Sequence, residues 1–196
     1  MTPVGAARSA APSATQGDPY TMSATPAPTL SDAFREAFRN HPAGVAVIAA
    51  DPGDGPAALT VSSLISVSAA PPTVAFSLSA QSSTAGSILR AKTMVIHLLR
   101  HKDMPLAQLC ATSGADRFAS GMAWARLHTG EPRYTDVGIW FRARTLHELQ
   151  VAGATLIVAE LLNGEVSASE ARDDELSMVY LNRQWHGLRP VLEVAI

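Results

Sequence analysis

Residues 57–89 read AALTVSSLISVSAAPPTVAFSLSAQSSTAGSIL, and how this stretch folds decides the architecture. Apolar and hydroxyl side chains alternate through its first half: Leu59, Val61, Ile65 and Val67 fall on one side, Thr60, Ser62, Ser66 and Ser68 on the other. Side chains of a β-strand point to opposite faces with period two, so one strand over residues 59–68 with a hydroxyl-bearing face is expected. After Pro71 and Pro72 the device repeats, with Val74, Phe76 and Leu78 against Thr73, Ser77 and Ser79. Hydroxyls on the solvent side of an antiparallel sheet would account for this pattern without any ligand. The next residues favour a binding face. Ser82, Ser83 and Thr84 directly precede a segment of helical character, where free N–H groups, the helix dipole and hydroxyls would converge as a phosphate pocket. Simple N-capping explains one such hydroxyl and leaves three in a row less well accounted for.

Working outward, Leu30, Phe34 and Phe38 recur every fourth residue behind an N-cap candidate at Ser31, and Pro42 and Gly44 stop the pattern. This spacing predicts a short amphipathic helix. Residues 45–50, VAVIAA, read as a strand, and DPGDGPA after them as a turn. Downstream, TMVIHLL is a strand, DMPLAQLCA a short helix with Pro105 in its first turn, and the region around Trp124 an irregular loop. Two long strands meet at a turn near Ala152 and Gly153, and SMVYLNRQWHGL is read as one final strand. The run Asp173, Asp174 and Glu175 reads as a solvated turn. Many strands, few short helices and hairpin connections predict a mainly β domain, an antiparallel barrel rather than a doubly wound sheet, over residues 30–190.

Composition narrows the function classes. The chain has 196 residues, 47% of them hydrophobic, which is enough for one substantial core. A net charge of −2 without long runs of either sign gives no footprint for nucleic acid. No window is long and apolar enough to span a membrane without charges, and residues 1–29 lack the apolar segment of a signal peptide. Their Ala, Pro, Ser and Thr content predicts a disordered tail, and Met22 is an alternative start to Met1. The single cysteine, Cys110, sits in an apolar run and reads as a buried inert thiol, which fits a reducing cytoplasm. Six histidines, among them His41, His147 and His186, form no metal-binding spacing, so no metal is expected.

The order HPAGVAVIAA, ALTVSSLISVSAAPPTVAFSLS, SSTAGSIL, MVIHLL, LAQLCA, RFASGMAW and VYLNRQW resembles the flavin reductase family, the reductase components of two-component flavin monooxygenases. The resemblance runs from about Ser31 to Leu188. It implies an FMN-binding split β-barrel, a homodimer, that oxidises NADH or NADPH and reduces FMN or FAD for a separate monooxygenase. It further implies that Thr60, Val61, Ser62 and Ser63 border the flavin and that Ser82, Ser83 and Thr84 lie at its phosphate end. Pro42 and Gly44 match the loop before the first strand, and Arg117 and Phe118 match a basic-aromatic pair near the flavin. Hydride would pass between stacked rings, so the protein contributes proximity and orientation and no catalytic side chain is assigned.

Two positions depart from the family pattern. Relatives carry Gly-Asp-His where this chain has Ala152, Gly153 and Ala154, so the imidazole on the nicotinamide side is missing at Ala154. His97 stands where relatives often have Asn. Besides the reductase reading, two others remain: an enzyme that retains FMN or a deazaflavin to act on another substrate, and a flavin-binding protein without turnover. The sequence shows no isolated basic pocket that would choose NADPH over NADH.

Overall fold

The computed structural model describes residues 28–167 and 176–189. The expected disordered tail, apart from its last two residues, and the acidic run at 173–175 lie outside the described residues. In chain order the elements are α1 (Leu30–Arg39), β1 (Ala43–Gly44), β2 (Ala46–Ala50), β3 (Ala57–Val61), β4 (Ile65–Ala69) and β5 (Pro72–Ser79). They continue with α2 (Ala85–Arg90), β6 (Thr93–Leu98), α3 (Met104–Ala111), β7 (Trp124–Arg126), β8 (Pro132–Tyr134), β9 (Ile139–Val151), β10 (Ala154–Val166), β11 (Ser177–Leu181) and β12 (Gln184–Leu188).

The main sheet has seven strands in the order β3-β2-β6-β9-β10-β5-β4, every pair antiparallel. It curls without closing into a continuous ladder, which makes it a split barrel, as the sequence predicts. β2 explains the all-apolar string VAVIAA. Ala46, Ile48 and Ala50 face the barrel interior with Phe76, Ile88, Met94 and Ile157, while Val45, Val47 and Ala49 face a second cluster under α3 with Tyr134, Val137 and Met178. A strand buried on both faces has no polar side to alternate with.

Three expectations change. The stretch 59–68 is not one strand: β3 ends at Val61 and β4 begins at Ile65, and the two lie at opposite edges of the sheet. Residues 62–64 carry the chain across the seam between those edges. There Ser63 acts as a clip, its hydroxyl donating to Ser77 O at 3.2 Å and accepting from Ser77 N–H at 2.9 Å. The alternation lapses at Ser63 and Leu64, but a lapse alone does not show a crossing to another edge, and a hydroxyl that bonds the backbone looks the same in sequence as one that faces water. Second, α1 is capped by Thr29 rather than Ser31, through a capping box with Asp32. Its apolar stripe is expected, yet none of its residues is buried. Third, SMVYLNRQWHGL is a hairpin of β11 and β12 turning at Asn182 and Arg183, and the region at Trp124 contains the β7–β8 ribbon.

A buried polar cluster closes the outer layer. Glu131 accepts from Arg142 Nε at 2.7 Å and from the hydroxyls of Thr93, at 2.5 Å, and Thr129. Burial raises its pKa, but these donors outweigh burial and hold the carboxyl at about 2. His97 is fully buried between layers, with Nδ1 3.2 Å from Val47 O and Nε2 accepting from Tyr134 N–H at 3.0 Å. These partners fix the neutral tautomer with the proton on Nδ1, and burial lowers its pKa to about 4.

Candidate active site

A groove of about 660 Å³ follows the seam of the barrel, within the roughly 300–1,000 Å³ typical of small-molecule sites. One wall is the end of β3 and the crossing segment, from Leu59 through Ser63. The other is the end of β5, Ser77 to Ser79, with Gly153 and Ala154 from the β9–β10 turn beside it. The β5–α2 loop closes one end with Ser82, Ser83 and Thr84, and the end of α3 supplies Cys110 and Ala111. Residues from four separate stretches of the chain thus meet where the sheet fails to close.

The hydroxyls around the groove divide into two kinds. Thr60 donates to Ala107 O at 2.7 Å, tying β3 to α3, and Ser63 clips the seam. Ser82 accepts from Ala85 N–H at 3.3 Å, and so caps α2 in place of Thr84, whose side chain makes no capping bond. Ser62 and Ser83, by contrast, are exposed and have no hydrogen-bond partner among the described residues. With Ser77 and Ser113, whose hydroxyls also have no partner among the described residues, they are the hydroxyls left for a ligand. α2 has only six residues, so the phosphate-end chemistry rests less on a helix dipole than on the loop and what lies behind it.

Behind it lies Arg117. Its Nη1 donates to Thr84 Oγ1 at 2.9 Å and its Nη2 to Thr112 O at 2.7 Å, while Nε is buried without a partner. No carboxylate among the described residues pairs with it. A guanidinium held by neutral acceptors keeps its full charge at the groove's end, which suits an anionic ligand. The backbone of Arg117 is itself fixed, since Tyr134 donates its hydroxyl to Arg117 O at 2.8 Å. Burial first, and then neighbouring Cys110, push the Tyr134 phenol well above its usual range, so it remains a donor at any working pH. Cys110 Sγ lies 3.6 Å from that hydroxyl, and burial pushes the thiol up to about 11. The thiol in the groove wall is therefore neutral.

The remaining expected residues are placed differently. Phe118 does not line the groove; it stacks on Tyr134 with centroids 5.3 Å apart and meets Trp124 edge-on at 5.0 Å. Pro42 and Gly44 line a neighbouring groove that shares Ser62, Ser63 and Ser77 with the first. Ala154 is half-buried at the groove wall, and the turn before it holds Ala152 at φ 45°. Sequence reading missed Ser77 and Ser79 as groove residues and the roles of Cys110 and Tyr134. Nothing local marks the last two, because their proximity to Arg117 arises only when α3 and β8 pack on the sheet. Among the described residues no group of three His, Cys, Asp or Glu side chains could hold a metal, and no helix is long and apolar enough to cross a membrane.

Comparison with known proteins agrees with this architecture. Residues 38–189 match the flavin reductase like domain. An NADH:FMN oxidoreductase from Rhodococcus erythropolis is 38% identical over 144 residues, covering 74% of this chain and 72% of that protein. The reductase component of a 4-nitrophenol 4-monooxygenase/4-nitrocatechol 2-monooxygenase from Rhodococcus opacus is 27% identical over 67% of this chain and 70% of its own. In three dimensions, a flavin reductase domain protein from Arthrobacter sp. FB24 superimposes with a TM-score of 0.75 at 26% identity, over 83% of this chain and 98% of the other. With the family model spanning most of its length and the split barrel in place, the chain belongs to the flavin reductase family.

Proposed function

We propose that this protein reduces FMN or FAD with NADH or NADPH and passes the reduced flavin to a separate monooxygenase. The observation that carries this reading is the unpaired Arg117 guanidinium, with its orphaned buried Nε, at the closed end of a hydroxyl-lined groove. An FMN phosphate is the anion this end fits. The groove residues fit the rest of a flavin: Thr60, Val61, Ser62 and Ser63 offer backbone groups and a free hydroxyl along one edge, and Leu59 and Leu78 offer apolar contact. Ser82, Ser83 and Thr84 stand beside Arg117 at the phosphate end. When bound, the flavin supplies the hydride acceptor. The chain holds it in the seam, keeps the phosphate anchored, and offers neutral Cys110 rather than a titrating group at the wall. The relatives named as NADH:FMN oxidoreductase and as a monooxygenase reductase component support this reading.

We read the protein as a homodimer as well. α1 exposes Leu30, Phe34 and Phe38, and edge strand β4 exposes Ile65 and Val67 at 60% and 54%; clustered exposed apolar side chains and a bare sheet edge mark protein contacts. A cytoplasmic location fits the single buried cysteine. Purified protein that is colourless and oxidises NADH or NADPH only when FMN or FAD is added meets the proposal. A stoichiometrically yellow protein that transfers hydride to another acceptor, and none to added flavin, would replace it with a retained-flavin enzyme.

A further inference from the structure

The inner core is not fully covered. Leu64, Val74, Leu98 and Leu161 pack on it yet are only half-buried, and with Phe141 they line a groove of about 240 Å³. A second apolar groove of about 300 Å³ joins it through Leu64 and Leu98 and runs on past Ile139 to Ser177 and Met178 of β11. Among the described lining residues the polar side chains are Ser66, Arg100 and Ser177, and Arg100 donates to Ser177 at 2.7 Å. Such a lining offers apolar contact and almost nothing to orient a small polar molecule, so it fits an apolar segment of chain. From β6 onward the lining follows residues 96–100, roughly 13 Å of extended backbone.

The sequence contains such a segment next to the groove. Residues 190–196, PVLEVAI, follow β12 and lie outside the described residues. β12 ends at Leu188, whose cross-strand partner Ser177 lines the groove. Directly opposed residues of an antiparallel pair share a face, so Leu188, 51% exposed, stands at the groove's rim. Pro190 has no N–H to continue the β12 ladder. The residues after it alternate, with Leu192, Val194 and Ile196 on one side and Val191, Glu193 and Ala195 on the other. Seven extended residues reach roughly 23 Å, enough to pass along both grooves. A segment tethered at the rim also has a high effective concentration there, which a second copy of the chain lacks.

We propose that residues 191–196 lie as an extended strap in this apolar groove, with Leu192, Val194 and Ile196 against Leu64, Leu98 and Leu161. Leu64 directly follows Ser62 and Ser63, which belong to the wall of the seam groove. The strap therefore braces the crossing segment and steadies that wall, whatever ligand the seam takes.

Hydrogen exchange read by mass spectrometry, on the full chain and on a chain lacking residues 190–196, tests it. Removing the strap speeds exchange across residues 62–67 by about tenfold and leaves α3, which lines neither groove, unchanged. In the full-length chain Leu192→Asp, Val194→Asp and Ile196→Asp each speed it as well, whereas Glu193→Lys and Ala195→Asp on the other face do not. Should the deletion loosen α3 too, these point variants decide. Exchange across residues 62–67 that neither the deletion nor the apolar-face variants alter overturns the proposal, as do equal effects from the two faces. Protection that is lost when the full chain is diluted comes from a second copy, and overturns it as well.

Discussion

At the level of single residues, the site depends on one charge and the groups that hold it still. Arg117 is positioned by Thr84, Thr112 and Tyr134, and each holds it through a neutral group. Replacing Arg117 with Ala should weaken FMN binding by about 1.5–3 kcal/mol, the range for a hydrogen bond to a charged group, and leave riboflavin binding nearly unchanged. Fluorescence titration with the two ligands checks this; equal losses would place the phosphate elsewhere. His97 gives a pH signature of folding. Its pKa is depressed to about 4 in the folded protein by burial, against roughly 6.5 when unfolded. Below pH 6.5 the unfolded chain therefore binds a proton that the folded chain refuses. The contribution is complete above pH 6.5 and is lost as pH falls toward 4, on the order of 3 kcal/mol in all. Urea unfolding across that window should show the decline. His97→Phe should be less stable at neutral pH, having orphaned Val47 O and Tyr134 N–H, but should show a flatter acid limb. An identical pH slope in both proteins would mean that His97 is not the titrating group. In sequence, the hydroxyl residues are visible and their division of labour is not: Ser63 and Thr60 read the same as Ser62, although the first two bond the backbone and the third is free.

At the level of elements, period-two alternation shows that strands exist but not where one ends and the next crosses to another edge. β2, β5, β6 and the long β9–β10 hairpin are legible because their apolar runs are bounded by Gly, Pro or polar turns. The β3–β4 break shows only as a lapse in the alternation at Ser63 and Leu64, which does not tell that the chain crosses there to the opposite edge of the sheet. Likewise Asn182-Arg183 lacks the glycine that signals a hairpin, so β11 and β12 merge into one apparent strand. Gly164 in β10 tests the register of the longest pair. It faces Phe141 in β9, and a Cβ there would come within 2.4 Å of both Trp140 O and Phe141 Cδ1. The carbonyl is backbone and cannot swing aside, so Gly164→Ala should cost about 1–3 kcal/mol by overpacking. A lowered melting temperature checks it. An unchanged one would mean that β9 and β10 pair in another register.

At the level of the whole molecule, the seam groove exists because the sheet does not close, and the surfaces left uncovered have a consequence for assembly. Ile65 and Val67 on β4 form an exposed apolar edge. Replacing both with Asp should convert a dimer to a monomer in sedimentation equilibrium, whereas an unmodified chain that is already monomeric would remove the dimer proposal. The barrel and its family were legible from the sequence, because the ordered string of blocks carries the resemblance. The neighbouring groove at Pro42 and Gly44 was not, because α1, the crossing segment and the β11–β12 turn are far apart in the chain and meet only in the fold. The central claim is that this seam presents flavin to a reduced nicotinamide, and anaerobic rapid mixing tests it most directly. Protein, FMN or FAD, and NADH or NADPH are mixed in the four combinations while the visible absorbance of oxidised flavin is followed. The account predicts that at least one combination bleaches rapidly, in proportion to protein concentration, and that Arg117→Ala slows the FMN reaction at low flavin while high flavin restores it. No protein-dependent bleaching in any of the four would contradict it.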